Sequence, residues 1–153
     1  MLKISIIVPV KNNIETFKRC LKSIKSQTLI KSIECLVVDY GSNEKNLELI
    51  EKSIKEYNSE QNNLFQLFKL GKSTIGMAKN YAIPDAKGMY ISYVYQEDYL
   101  INTFCEQMFD KAQKEDLDIV VSNYMIDTYK NISKNIEYIF NTDFIGSQII
   151  NCI

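Results

Sequence analysis

The stretch Ile4-Ser5-Ile6-Ile7-Val8-Pro9-Val10, which runs directly into Lys11-Asn12-Asn13, decides how the rest of the chain reads. Its nearly unbroken β-branched character is that of a strand buried on both faces, the kind found in parallel sheets. Polar residues follow at once, so the strand's carboxyl end opens into a loop capable of chemistry. The run contains Pro9 and lacks a small-residue cleavage site, which favours a first strand over a secretory leader.

Working outward, strands and helices alternate. Ile14, Phe17, Leu21 and Ile24 recur at helical spacing and predict an amphipathic helix from about Glu15 to Ser26. Ile33 to Val38 is a second buried strand. It ends in the turn Asp39-Tyr40-Gly41-Ser42, with Ser42 as the expected cap of the following helix. That helix is marked by Leu47, Ile50, Ile54 and Tyr57, and Ser59 to Asn63 reads as a polar loop. Leu64–Leu70 is a third strand, and Thr74–Ala86 is helical with its end disturbed by Pro84. Tyr90–Val94, a helix over Tyr99–Glu115 and a strand over Asp118–Tyr124 complete the pattern.

This order implies an α/β fold: a mainly parallel central sheet with right-handed crossovers and helices on both faces. Ligand sites in such sheets sit at the carboxyl ends of the strands. Those ends are Val10-Lys11-Asn12, Asp39-Tyr40-Gly41-Ser42 and Tyr95-Gln96-Glu97-Asp98, and carboxylates at two of them point to a shared crevice.

Composition narrows the chemistry. The 153 residues suit one domain, and 18 Lys and Arg against 19 Asp and Glu argue against a nucleic-acid partner held by a broad basic face. Histidine is absent, which removes His-based triads, bases and zinc sites. Cys20, Cys35, Cys105 and Cys152 form no CxxC pair and read as reduced, mostly buried thiols of a cytosolic protein. No segment reaches the ~18 consecutive apolar residues of a membrane span. No GxGxxG follows a strand, so a dinucleotide-binding enzyme of that kind is discounted.

Ser5-Ile6-Ile7-Val8-Pro9-Val10-Lys11-Asn12-Asn13 resembles the opening of the family 2 glycosyltransferases. So do Cys20-Leu21-Lys22-Ser23-Ile24-Lys25-Ser26-Gln27-Thr28 and Val37-Val38-Asp39-Tyr40-Gly41-Ser42. Ala78-Lys79-Asn80 and Lys87-Gly88-Met89-Tyr90-Ile91 follow in family order, so the resemblance runs from about residue 4 to 124. It implies a GT-A fold with a Rossmann-like sheet. The implied activity is sugar transfer from a nucleotide-diphosphate donor to an acceptor, a glycan or lipid-linked saccharide, usually with Mg²⁺ or Mn²⁺. Residues 1–125 would form the nucleotide-sugar-binding half. Residues 126–153 would begin an incomplete acceptor-side segment, or form an Ile-rich packing tail through which the chain associates with itself. The implied location is cytoplasmic, or peripheral at the inner face of a membrane.

Carried over position by position, Pro9, Asn12, Asp39 and Lys79 would bind the donor, and Glu97 would be the metal ligand. The chain also departs from the family pattern. Tyr40 stands where a second Asp is common, Tyr95 replaces the first Asp of the DxD motif, and Glu97 replaces the second. The degenerate motif sustains an alternative reading, a catalytically inactive GT-A-like domain retained for nucleotide binding or assembly. No catalytic base can be matched, since Asp127, Glu137 and Asp143 lie in no motif. The plainer expectations are that Asp39 shapes a turn, Glu97 favours a helix start, Lys79 and Lys11 are solvated, and Tyr95 fills space in the crevice.

Overall fold

The computed structural model describes residues 1–60 and 63–122. The chain divides into two units, Met1–Phe109 and Asp110–Ile153.

The first unit is built on four parallel strands, β1 (Ile4–Val10), β2 (Ile33–Asp39), β3 (Phe65–Lys69) and β4 (Tyr90–Tyr93), in the order β3-β2-β1-β4. Ile6 pairs with Cys35, Val10 with Asp39, Ile7 with Tyr93, and Val37 with Leu67. All seven residues of β1 are buried, as its uninterrupted apolar run requires of a central strand. Side chains alternate across the sheet. Ile4, Ile6, Val8 and Val10 enter one core with Phe17, Cys20, Leu21 and Ile24 of α1 (Ile14–Lys25). Ile50 and Ile54 of α2 (Glu44–Glu60) and Cys105 and Phe109 of α4 (Phe104–Glu115) belong to the same core. Ile7, Leu36 and Val38 face the other way, onto Ala78 of α3 (Ile75–Tyr81) and Ala82 just beyond it. The expected helices on both faces are therefore present.

Several local expectations are corrected. The cap of α2 is Asn43, whose Oδ1 accepts from Asn46 N at 2.9 Å; Ser42 Oγ instead accepts from Asn12 N at 2.8 Å. The helix after Thr74 stops at Tyr81 and passes into a 3₁₀ turn, Ile83–Asp85, that accommodates Pro84. The helix expected from Tyr99 begins only at Phe104, because Gln27, just past α1, holds the preceding backbone out of helix. Gln27 Nε2 donates to Ile101 O at 2.8 Å, Thr28 N donates to Asn102 O at 2.9 Å, and Gln27 Oε1 accepts from Cys105 N at 2.9 Å. A side chain nearly eighty residues away thus takes the capping role.

In the second unit the described residues are the end of α4 and the irregular segment 116–122. The fifth strand expected over Asp118–Tyr124 is not formed in residues 118–122, and Asn123 and Tyr124 lie outside the described residues. Also outside them lie the expected tail, residues 126–153, and the unmatched acids Asp127, Glu137 and Asp143.

Candidate functional site

Chain order reverses in the sheet between β1 and β4. Such a switch point opens a crevice at the carboxyl ends of the strands. The exits of β1, β2 and β3 are knit by backbone bonds: Tyr40 N to Val10 O (3.2 Å), Leu70 N to Asp39 O (2.8 Å) and Ser73 N to Tyr40 O (3.1 Å). Gly41 takes φ +116°, and a Cβ there would meet Lys72 Cα at 3.0 Å, so the β2 exit needs a glycine to pass beside β3's.

Gln96 closes the switch point. Its Oε1 accepts from Lys11 N at 2.8 Å and its Nε2 donates to Lys11 O at 3.1 Å, so the side-chain amide continues the ladder where the two strands part. Nε2 also donates to Glu97 Oε1 at 2.6 Å. In the sequence nothing but its place at a strand end marks Gln96 for this role.

Each residue expected to bind the donor has a defined place. Pro9 is fully buried within β1 and shapes the strand rather than offering surface to a ligand. Asn12 adopts φ 61°, a left-handed conformation that Asn tolerates better than most residues. Its Oδ1 accepts from Asn43 N at 2.9 Å, fastening the β1 exit to the start of α2. Asp39 is 3% exposed, and its carboxylate accepts from Gly41 N and Ser42 N at 3.2–3.4 Å, so it does form the turn. An ionised carboxylate has about four lone-pair sites, which leaves acceptor capacity for another N–H.

Lys79 is not simply solvated. Its Nζ donates to Tyr95 Oη at 2.6 Å and stands 4.4 Å and 5.3 Å from the ring centroids of Tyr95 and Tyr93. Tyr95 is 41% exposed, which corrects the expectation of a space-filling ring. Lys11 Nζ lies 5.3 Å from the Tyr40 ring centroid.

Tyr40 is half-buried at the β2 exit. Burial foremost, then the charges of Glu97 and Asp39, push its phenol above the ordinary value. Burial, followed by the charge of Glu97, likewise raises the Asp98 carboxyl, with Arg19 acting in the opposite sense.

The donor set suits a divalent cation poorly. Glu97 is exposed and one of its oxygens already accepts from Gln96. Among the described residues no three Cys, Asp or Glu side chains gather where they could hold an ion. Hard cations take six or more oxygen ligands, or keep waters around one or two carboxylates. Glu97 fits only the second, loosely held case. Thiol chemistry is also disfavoured: Cys20 and Cys105 are pushed up to about 12 by burial, and Cys35 rises for the same reason.

Comparison with known proteins defines the class. Residues 5–148 match the model of Glycosyl transferase family 2, and the chain belongs to that family. It is 31% identical over 121 residues to the glycosyltransferase GlyG of Streptococcus pneumoniae, a match covering 79% of this chain and 38% of GlyG. Among solved structures it resembles TarS of S. aureus in complex with UDP-GlcNAc, at TM-score 0.59 and 25% identity, over 75% of this chain and 31% of that one. It also resembles a mannosyltransferase of Pyrobaculum calidifontis in complex with GDP-Man and Mn²⁺, at TM-score 0.55 and 19% identity, over 63% and 28% of the two chains. The fold is GT-A. The chain spans less than two-fifths of these relatives' lengths.

Proposed function

We propose that this chain is the nucleotide-sugar-binding half of a family 2 glycosyltransferase that moves a sugar from a nucleotide-diphosphate donor to a glycan or lipid-linked saccharide. The observation that carries the reading is the convergence of the strand exits at the switch point, where Tyr40 N bonds to Val10 O and the Gln96 amide ties Lys11 to Glu97. Asp39 would accept from the base, Asn12 with Pro9 behind it would hold the β1 exit in shape, and Lys79 would face the diphosphate. The TarS complex with UDP-GlcNAc supports a donor of this chemistry. The mannosyltransferase, with GDP-Man, leaves the base to be found by experiment.

Glu97 is the proposed ligand of a weakly held Mg²⁺ or Mn²⁺, which in such a site would neutralise the departing phosphate. The protein's own groups otherwise bind and orient the donor. A cytoplasmic location accords with the free thiols Cys20, Cys35 and Cys105, and no described helix is long and apolar enough to cross a membrane.

A thermal-shift panel of UDP, GDP and dTDP, each with and without Mn²⁺, tests the reading, because a ligand that binds only the native state raises the midpoint. One nucleotide should stabilise the chain at millimolar concentration. No shift with any of them would overturn the proposal. Binding without sugar transfer by the full-length protein would favour the inactive relative.

A further inference from the structure

Lys79 and Tyr95 form a unit that no reading of the separate residues contains. Lys79 lies in the last turn of α3, the helix whose Ala78 packs on the sheet face. Tyr95 follows β4 at the switch point. The ammonium is fixed by a 2.6 Å bond to Tyr95 Oη and lies 5.3 Å from the Tyr93 ring centroid. The hydrogen bond and the attraction of the Tyr93 ring for a cation together hold the flexible lysine in place before any ligand arrives. An ammonium carries three N–H donors, and Tyr95 uses one. The Tyr95 hydroxyl accepts from Lys79 and keeps its own O–H to donate. Tyr93 and Tyr95 are 43% and 41% exposed, so an incoming anion can reach the pair.

We infer that Lys79 and Tyr95 together form a diphosphate clamp that supplies the counter-charge at the β4 exit and makes donor binding largely independent of a divalent ion. The inference rests on the nucleotide-sugar reading above and deepens it. Tyr95 sits where an acid would attract a metal ion, but it attracts a protein cation instead. Glu97, with one oxygen committed to Gln96, adds only a loose ion site. In this arrangement Tyr95 is a positioning residue for Lys79 as well as a donor to phosphate.

The test is calorimetric titration of the 153-residue chain with the best-binding diphosphate of the UDP, GDP and dTDP panel and with its monophosphate, in EDTA and in Mn²⁺. Wild type should bind the diphosphate in EDTA within about threefold of its affinity in Mn²⁺. Lys79→Met should weaken the diphosphate about tenfold, the loss of one charge-assisted contact, while the monophosphate changes less than about twofold. Lys79→Arg should recover most of the loss. Tyr95→Phe keeps the ring and removes the hydroxyl; it should weaken the diphosphate about threefold or more. Both side chains are at the surface, and melting curves check that each variant folds; should Lys79→Met fail to fold, Tyr95→Phe carries the comparison. Diphosphate binding abolished by EDTA, or unchanged in Lys79→Met and Tyr95→Phe, overturns the clamp while the nucleotide reading stands. No binding of any nucleotide by wild type removes both.

Discussion

Gly88→Ala tests how tightly β4 is held against the centre of the sheet. A Cβ on Gly88 would lie 2.4 Å from Ser5 N, 2.6 Å from Ile4 C and 2.9 Å from Ile4 Cα. These are backbone atoms of the buried strand β1 and cannot swing aside as a side chain could. Relief requires the segment before β4 to move outward by about 1 Å, the shortfall from a normal carbon contact. Two bonds stretch with that move: Gly88 N to Ser5 Oγ at 2.8 Å and Lys87 N to Glu34 Oε1 at 2.6 Å. Ser5 Oγ itself donates to Glu34 Oε1 at 2.7 Å, so the cluster loosens as a whole. Overpacking costs about 1–3 kcal/mol and each weakened bond about 1 kcal/mol, together about 3–5 kcal/mol. For a chain of this size that lowers Tm by about 10 °C or more. Thermal and urea unfolding followed by circular dichroism measure it. A Tm within about 3 °C of wild type would refute the reasoning, because it would mean that β4 is not seated against β1 as closely as these distances state.

Other perturbations probe other parts of the molecule. Phe17→Ala empties the largest fully buried side chain under α1 and should cost about 3–5 kcal/mol in urea denaturation. Gln27→Ala leaves Cys105 N without its acceptor and Ile101 O with Phe104 N alone; it should cost about 1–3 kcal/mol and speed amide exchange at Cys105. The buried thiols make stability fall in alkali. Cys20 and Cys105 rise from 9.0 to about 12 on folding, so between those values the unfolded chain binds fewer protons than the native one. Stability is full below pH 9 and declines above it, by up to about 1.4 kcal/mol per pH unit for each thiol. Melting points taken from pH 7 to 11 should drop above pH 9 in wild type and less steeply in Cys20→Ala. An equal slope in the two would sink the assignment.

Much of the fold was legible in the order of residues. The periods that mark β1, α1, β2 and α2 are written in Ile, Val, Leu and Phe, and burial on both faces leaves a central parallel strand no other composition. The residues that carry the family resemblance follow the same order, since strand ends and tight turns constrain side-chain type locally. What tertiary structure decided depends on groups far apart in the chain. The start of α4 is set by Gln27, the bridge between the exits of β1 and β4 by Gln96, and the cap of α2 falls to Asn43 because Ser42 is engaged by Asn12. Tyr95 read as filler because sequence carries no sign that a lysine sixteen residues earlier would meet its hydroxyl. Hydrophobic periodicity is a local property that survives in one dimension. A hydrogen bond between two loops exists only after the sheet has brought their strands side by side.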